Sequence, residues 1–167
     1  DSEADVMRFA AAGIATYQPF DFERQATLPD GKIVTVAFSL AFASPADTPR
    51  AAFFTCHNKF PANFWKPAFQ LHDNGAVGVR EVVLVALEPL ALSAFAAGFT
   101  GNASSPIEMG ISAACGSHAL TVLTPRAFAR RFNGAAIDLD QGPRLGAIVI
   151  GTRGERRGIT MAENASG

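Results

Sequence analysis

The sequence predicts an α+β fold, and three observations carry that reading. One segment alternates strictly: Val34, Val36, Phe38, Leu40 and Phe42 interleave with Thr35, Ala37, Ser39 and Ala41, the period-two signature of a strand with one large apolar face and one small face. A nearly continuous β-branched run, Val77 to Leu87, reads as a strand buried on both faces. A short block repeats: Ala11-Ala12-Gly13-Ile14 recurs as Ala96-Ala97-Gly98-Phe99, each copy closing a short helix near several strands. The recurring unit is strand, helix, then three strands.

Taken in order, Ser2 is the expected N-cap of a first helix, with Asp5 three residues on, Val6, Phe9 and Ala10 on one face, and Gly13 as its stop. Ile14 to Tyr17 reads as a short strand and Phe20 to Leu28 as a second. Pro29-Asp30-Gly31 then forms a turn, because Pro presets its own φ and Gly accepts a positive one. The small face of the alternating strand leaves room for a packed helix or a ligand, the helix being favoured. A polar loop, Ala43 to Pro49, leads to the strand Ala51 to Cys56, and 58–76, rich in Pro, Asn and aromatics, reads as an ordered linker. After the buried run, Pro89 suits a first helical turn, and Leu90, Ala91, Ala94 and Phe95 make a helix ending at Gly98. Ile107 to Ala114 and Ala119 to Leu123 pair across Cys115-Gly116-Ser117-His118. Thr124-Pro125 opens a helix through Phe132, and Leu145 to Ile150 and Gly158 to Met161 are further strands.

Composition bounds the function. The 167 residues are 49% hydrophobic and 17% charged, apolar enough to offset the entropy of ordering, so disorder is excluded. Fourteen Lys and Arg against 15 Asp and Glu leave a net charge of −1, which gives a nucleic-acid role no electrostatic footprint. No apolar stretch is long enough for a membrane span. Cys56 and Cys115 are the only cysteines, which fits a reducing, cytoplasmic setting rather than a disulfide scaffold. Fourteen of the sixteen aromatics are Phe, a residue with no polar tip, which points to a dry core or an apolar pocket. The chain opens at Asp1 directly into a helix signal and closes on Glu163-Asn164-Ala165-Ser166-Gly167, so it reads as part of a longer chain.

Phe54-Thr55-Cys56-His57, followed by Pro61, Trp65, Pro67 and His72-Asp73-Asn74-Gly75-Ala76, resembles the bacterial glyoxalase-like domain proteins of the vicinal oxygen chelate superfamily. In that family the block is His-Pro-Asn-Gly-Ala, and Asp73 stands in place of the Pro. Thr124-Pro125 with Arg131-Phe132, and Pro143-Arg144-Leu145, extend the likeness, which covers Asp1 to about Ile150. The resemblance implies tandem βαβββ modules whose mixed sheet curls around a cavity, with helices outside. Residues 1–57 would be a partial module, 58–76 the linker, and 77–167 a second module incomplete at its end. It allows a homodimer.

Metal-dependent members hold their ion through a His or Gln early in a module's first strand and a Glu late in its last. Glu81 falls on the first of these positions and Thr35 on the position after Pro-Asp-Gly where the Glu would stand. Both depart from the pattern, so no cofactor is expected. A divalent ion would have to use Glu81 with His118 or Glu108, imidazole and carboxylate ligands drawn from separate strands. The bland alternative is that Glu81 and Glu108 are solvated.

The candidate ligand-binding residues are Phe38, Phe42, Phe54, His57, Trp65, His72 and Glu81, with the Phe rings as apolar lining and the His and Glu side chains as orienting groups. His72 and Asn74 could instead fix the tight turn at Gly75, and Trp65 could anchor packing. Cys56 and His57 are adjacent on a strand and point to opposite faces, which argues against a nucleophile pair. Three functions remain: a lyase, isomerase or dioxygenase acting on a small apolar or thiol-conjugated substrate; a metal-free binding protein of the bleomycin-resistance type; and a structural relative whose Phe side chains fill the cavity.

Overall fold

The computed structural model of the chain describes residues 1–45, 48–153 and 156–160. Positions 46 and 47 of the expected loop, Met161 of the expected last strand, and the end of the expected second module, 161–167, lie outside the described residues.

Helix α1 (Ser2–Ala11) is capped by Asp1, whose carboxylate accepts from the Ala4 N–H at 2.9 Å, rather than by Ser2. Ser2 instead turns inward, 3% exposed, and its hydroxyl donates to the Ser39 carbonyl at 2.8 Å. A buried hydroxyl needs such a partner, and a cap that faces water leaves Ser2 free to dock the helix. Strands β1 (Ala15–Thr16), β2 (Phe20–Thr27), β3 (Ile33–Ser44) and β4 (Phe53–Asn58) form a four-stranded antiparallel sheet, here sheet A. β3 is central, with β4 on one side and β1 and β2 in succession on the other. The β2–β3 hairpin closes at the expected turn, where the Leu28 N–H donates to the Lys32 carbonyl at 2.8 Å and Asp30 accepts from the Lys32 N–H at 3.0 Å.

The chain then crosses sheet A as α2 (Pro61–Phe64) and a 3-10 turn (Pro67–Gln70). Sheet B follows: β5 (Ala76–Val85), α3 (Ser93–Thr100), β6 (Ser104–Ile107), β7 (Gly110–Cys115), β8 (His118–Leu123), α4 (Pro125–Arg131), β9 (Arg144–Thr152) and β10 (Arg156–Thr160), in the spatial order β10-β9-β5-β8-β7-β6. β5 and β8 are parallel and the other pairs antiparallel. The expected strand Ile107–Ala114 is two strands folded on each other, because Met109 adopts a positive φ of 57° and turns the chain. Burial of the β-branched run holds only for Val83, Leu84, Val85 and Ala86, the first three of which have β8 and β9 as neighbours. Leu84 faces the α3 core with Ile111, Leu120 and Val122, whereas Val83 and Val85 face Phe128 and Phe132 of the α4 layer.

The chain is therefore α+β, with two sheets and four α-helices among the described residues. The sheets do not join into one curled barrel: no strand of sheet A pairs with a strand of sheet B among those residues. Nor are all the helices outside. α1 lies on the small face of β3 and α3 on sheet B, and one apolar core containing Phe9, Ala41, Ala43, Phe53, Leu84, Phe95, Ala96 and Ile111 joins them. Phe53 meets Phe95 and Phe99 edge-on at 4.9 and 5.5 Å between ring centres, and Phe9 stacks on Phe99 at 5.6 Å. No helix among the described residues is long and apolar enough to cross a membrane.

The two repeated glycines play different parts. Gly13 follows α1 with φ +71°, a helix end as expected, but α3 runs through Gly98 to end at Gly101, φ +73°. Gly98 is small because α1 crosses there: a Cβ would come within 2.8 Å of both Ala12 Cβ and Ile14 Cδ1. Replacing Gly98 with Val should lower stability by about 1–3 kcal/mol through overpacking, despite any gain in helix propensity. A urea unfolding series would show this as a reduced midpoint at unchanged slope; an unchanged midpoint would mean that α1 and α3 can separate freely.

Candidate functional site

The alternating strand does divide into a large and a small face, but α1 sits on the small one. Ala37, Ala41 and Ala43 are 3%, 0% and 0% exposed. On the other face only Val36 and Phe38 are buried, while Leu40 and Phe42 remain half-buried. Cross-strand pairing extends that face sideways: Phe20, Phe22 and Arg24 of β2 stand opposite Leu40, Phe38 and Val36, and Phe54 and Cys56 of β4 opposite Phe42 and Leu40. Phe22 stacks on Phe38 at 5.2 Å and Phe42 lies 5.4 Å from Phe54. These rings fill one another's contacts rather than lining an enclosed cavity. Phe20 and Phe54 are about half exposed.

The burial of Val36 and Phe38 comes from the expected linker, which folds back over them. Lys59 donates its N–H to the Ala37 carbonyl at 2.8 Å and its ammonium to Asp21 at 2.8 Å, and the Asn63 amide donates to the Thr35 carbonyl at 2.9 Å. The Phe64 ring then meets Phe38 edge-on at 5.3 Å, and Trp65 meets Phe64 in the same way at 5.3 Å. Between this strap and β2–β3 runs a groove of about 500 Å³, walled by Arg24, Ala26, Val36, Phe64, Trp65 and Phe69. None of its lining residues is acidic. A second hollow, of about 440 Å³, lies where α1 ends beside β5 and α3, lined by Ile14, Ala86, Leu92 and Phe95 with Glu88 at its wall.

Of the seven sequence candidates, Phe38, Phe42 and Phe54 share the aromatic face and Trp65 walls the groove. His57 pairs with Ser39 on the opposite, α1-bearing face, so it points away from Cys56, as alternation requires. His72 serves the turn through its main chain, its carbonyl accepting from the Gly75 N–H at 2.9 Å, while the Asn74 side chain accepts from the Ala76 N–H at 3.1 Å. Glu81 belongs to sheet B. Its carboxylate takes both arms of the Arg131 guanidinium at 2.8 and 2.5 Å, which pins α4 to β5 and holds Arg131 protonated beyond its already high ordinary value. Glu108 pairs with Arg130 at 2.8 Å, and His118 lies 3.2 Å from the Ser117 hydroxyl. Among the described residues no three His, Cys, Asp or Glu side chains converge to hold a metal ion.

Arg24, Phe64 and Phe69 are among the groove residues absent from the sequence candidates. Arg24 could have been found from the alternation Phe20, Phe22, Arg24, which places it on the aromatic face of β2. Phe64 and Phe69 were visible only as aromatics in a linker whose path the sequence does not fix.

The strap is anchored electrostatically as well as by ring contacts. Asp21 is held below the ordinary carboxylate value, first by the hydrogen bond from Lys59 and then by one from Ser39. A depressed folded value means that this contribution to stability is present above about pH 3.9 and is lost as pH falls through the folded value. An NMR titration should place the Asp21 midpoint below 3.8, and Lys59→Met should bring it back towards that value. An unshifted midpoint in the unmodified chain would remove Lys59 as the anchor.

Comparison of the chain with protein-family models, with curated proteins and with solved structures finds no match.

Proposed function

We propose that this chain is a small-molecule-binding protein of the glyoxalase-like kind, within the vicinal oxygen chelate superfamily, and that it holds a small, largely apolar ligand in the groove between sheet A and its aromatic strap. The groove carries this reading: aromatic side chains Phe64, Trp65 and Phe69 along its strap wall, an aliphatic opposite wall from Ala26, Leu28 and Val36, a volume suited to one ring system, and a few polar groups at its edges. Two further features support it. Pro61, Trp65 and Pro67, which carry the family resemblance, lie in the segment that walls the groove. The order strand, helix, three strands from β5 to β8, with β5 parallel to β8, is compatible with a βαβββ module, and α1 with sheet A would be its partial counterpart.

Binding is favoured over catalysis as a lyase or dioxygenase by how the acidic groups are engaged. Glu81 and Glu108 each face an arginine of α4, and a divalent ion would have to displace a guanidinium to use them. No cofactor is proposed. The two free cysteines suit a cytoplasmic setting.

A ligand of about 12 heavy atoms, contributing about 0.5 kcal/mol each, would bind with a Kd on the order of 10–100 μM. Trp65 is the only tryptophan, is 61% exposed and walls the groove, so its emission reports occupancy. Titration with the neutral quencher 4-nitrobenzamide should give saturable quenching in that range, and Phe69→Ala should weaken it severalfold. Quenching that stays linear with concentration and is the same for the urea-unfolded chain would sink the proposal.

A further inference from the structure

We infer that the ligand of this groove is a planar aromatic carboxylate, with Arg24 as the residue that reads its charge; the inference rests on the reading of the groove as a ligand site. Arg24 stands on β2 directly opposite Val36, which is 1% exposed, so its aliphatic stem starts from the buried floor of the groove while the residue as a whole remains exposed. Among the described residues its guanidinium makes one hydrogen bond, a long one of 3.4 Å from Nη1 to the Gln25 carbonyl. Among the described residues no carboxylate pairs with it, and it lies over none of the aromatic rings, unlike Arg8 over Phe9 and Arg131 over Phe132.

The nearby acids are directed elsewhere. Asp21 and Glu23 alternate to the opposite face of β2, and Asp21 is held by Lys59. The groove thus combines three aromatic side chains, Phe64, Trp65 and Phe69, with one unpaired guanidinium and no acid among its lining residues.

That combination selects by both charge and shape. A guanidinium is planar and weakly hydrated, and its fork matches the two oxygens of a carboxylate, so the pair forms two parallel hydrogen bonds. The aromatic walls favour a flat apolar body, through offset or edge-on ring contacts. A cationic ligand would meet Arg24 with no acid to offset it. A neutral ligand would gain no ion pair from the guanidinium.

The test compares two isosteres, 4-nitrobenzoate and 4-nitrobenzamide, by Trp65 quenching in the full chain. The expected result is that the acid binds at least tenfold more tightly than the amide at low salt, with the ratio shrinking as ionic strength rises. In Arg24→Gln the ratio of acid to amide affinity should fall to about one, and Arg24→Lys, which keeps the charge and loses the fork, should give an intermediate ratio. Because each ratio is taken within one variant, a general loss of stability does not imitate the effect. Equal affinities in the unmodified chain, or a ratio that survives Arg24→Gln, would overturn the aromatic-acid inference while leaving an apolar groove in place. Failure of both compounds to bind saturably would overturn the groove reading and the inference together.

Discussion

The crossing of α1 over α3 at Gly98 is the contact on which the other layers depend. It brings the helix covering sheet A within reach of the helix covering sheet B, and Arg8 secures it by donating to the Gly98 and Phe99 carbonyls at 2.7 and 3.1 Å. Those carbonyls belong to the last turn of α3, where main-chain acceptors lack partners within the helix and the helix dipole favours a cation. The same arginine takes Asp5 at 3.1 Å, and Asp5 in turn accepts from the Thr55 hydroxyl of β4 at 2.7 Å. One side chain therefore links α1, α3 and, through Asp5, sheet A. The Phe9, Phe53, Phe95 and Phe99 rings supply the apolar part of the same junction.

The placement of the groove follows from this crossing. Because α1 occupies the alanine face of β3, the phenylalanine face is left for a different cover, and the Pro- and aromatic-rich segment after β4 provides it only in part. The strap closes the Val36 and Phe38 end and leaves the Phe42 and Phe54 end more open, so the face grades from buried to exposed along one strand. Sheet B is covered differently: α3 and α4 lie on its two faces, and Phe128 is fully buried beneath α4.

What the sequence made legible was local. The alternation of β3, the Pro-Asp-Gly turn and the Thr124 cap with Pro125 after it each depend on a few neighbouring residues, and each stands in the structure. Readings that needed a distant partner went astray. Which face of β3 would be more buried depended on α1, since alternation separates faces without ranking them. Gly98 looked like a helix stop because the approach of Ala12 and Ile14, more than eighty residues away, leaves no local trace. Glu81 was read as a ligand candidate or a solvated residue, whereas its partner Arg131 is 50 positions along the chain. The candidate groove was half visible: Trp65 was chosen, but Arg24 acquires its setting only when a separate segment folds over β2.

The separation of 90 positions between Arg8 and Gly98 has a kinetic implication. The hairpins of sheet A and of β6 to β8 join neighbours in sequence and incur little loop-closure entropy, so they can form early. The crossing of α1 over α3 closes a far longer loop and gains stability only when both helices are already shaped. Neither helix has its full apolar cover before that moment: Phe9 and Ala96, both fully buried at the end, would face water in either half alone. The length of that loop favours a late crossing, and the same step takes the Phe9 and Ala96 side chains out of water.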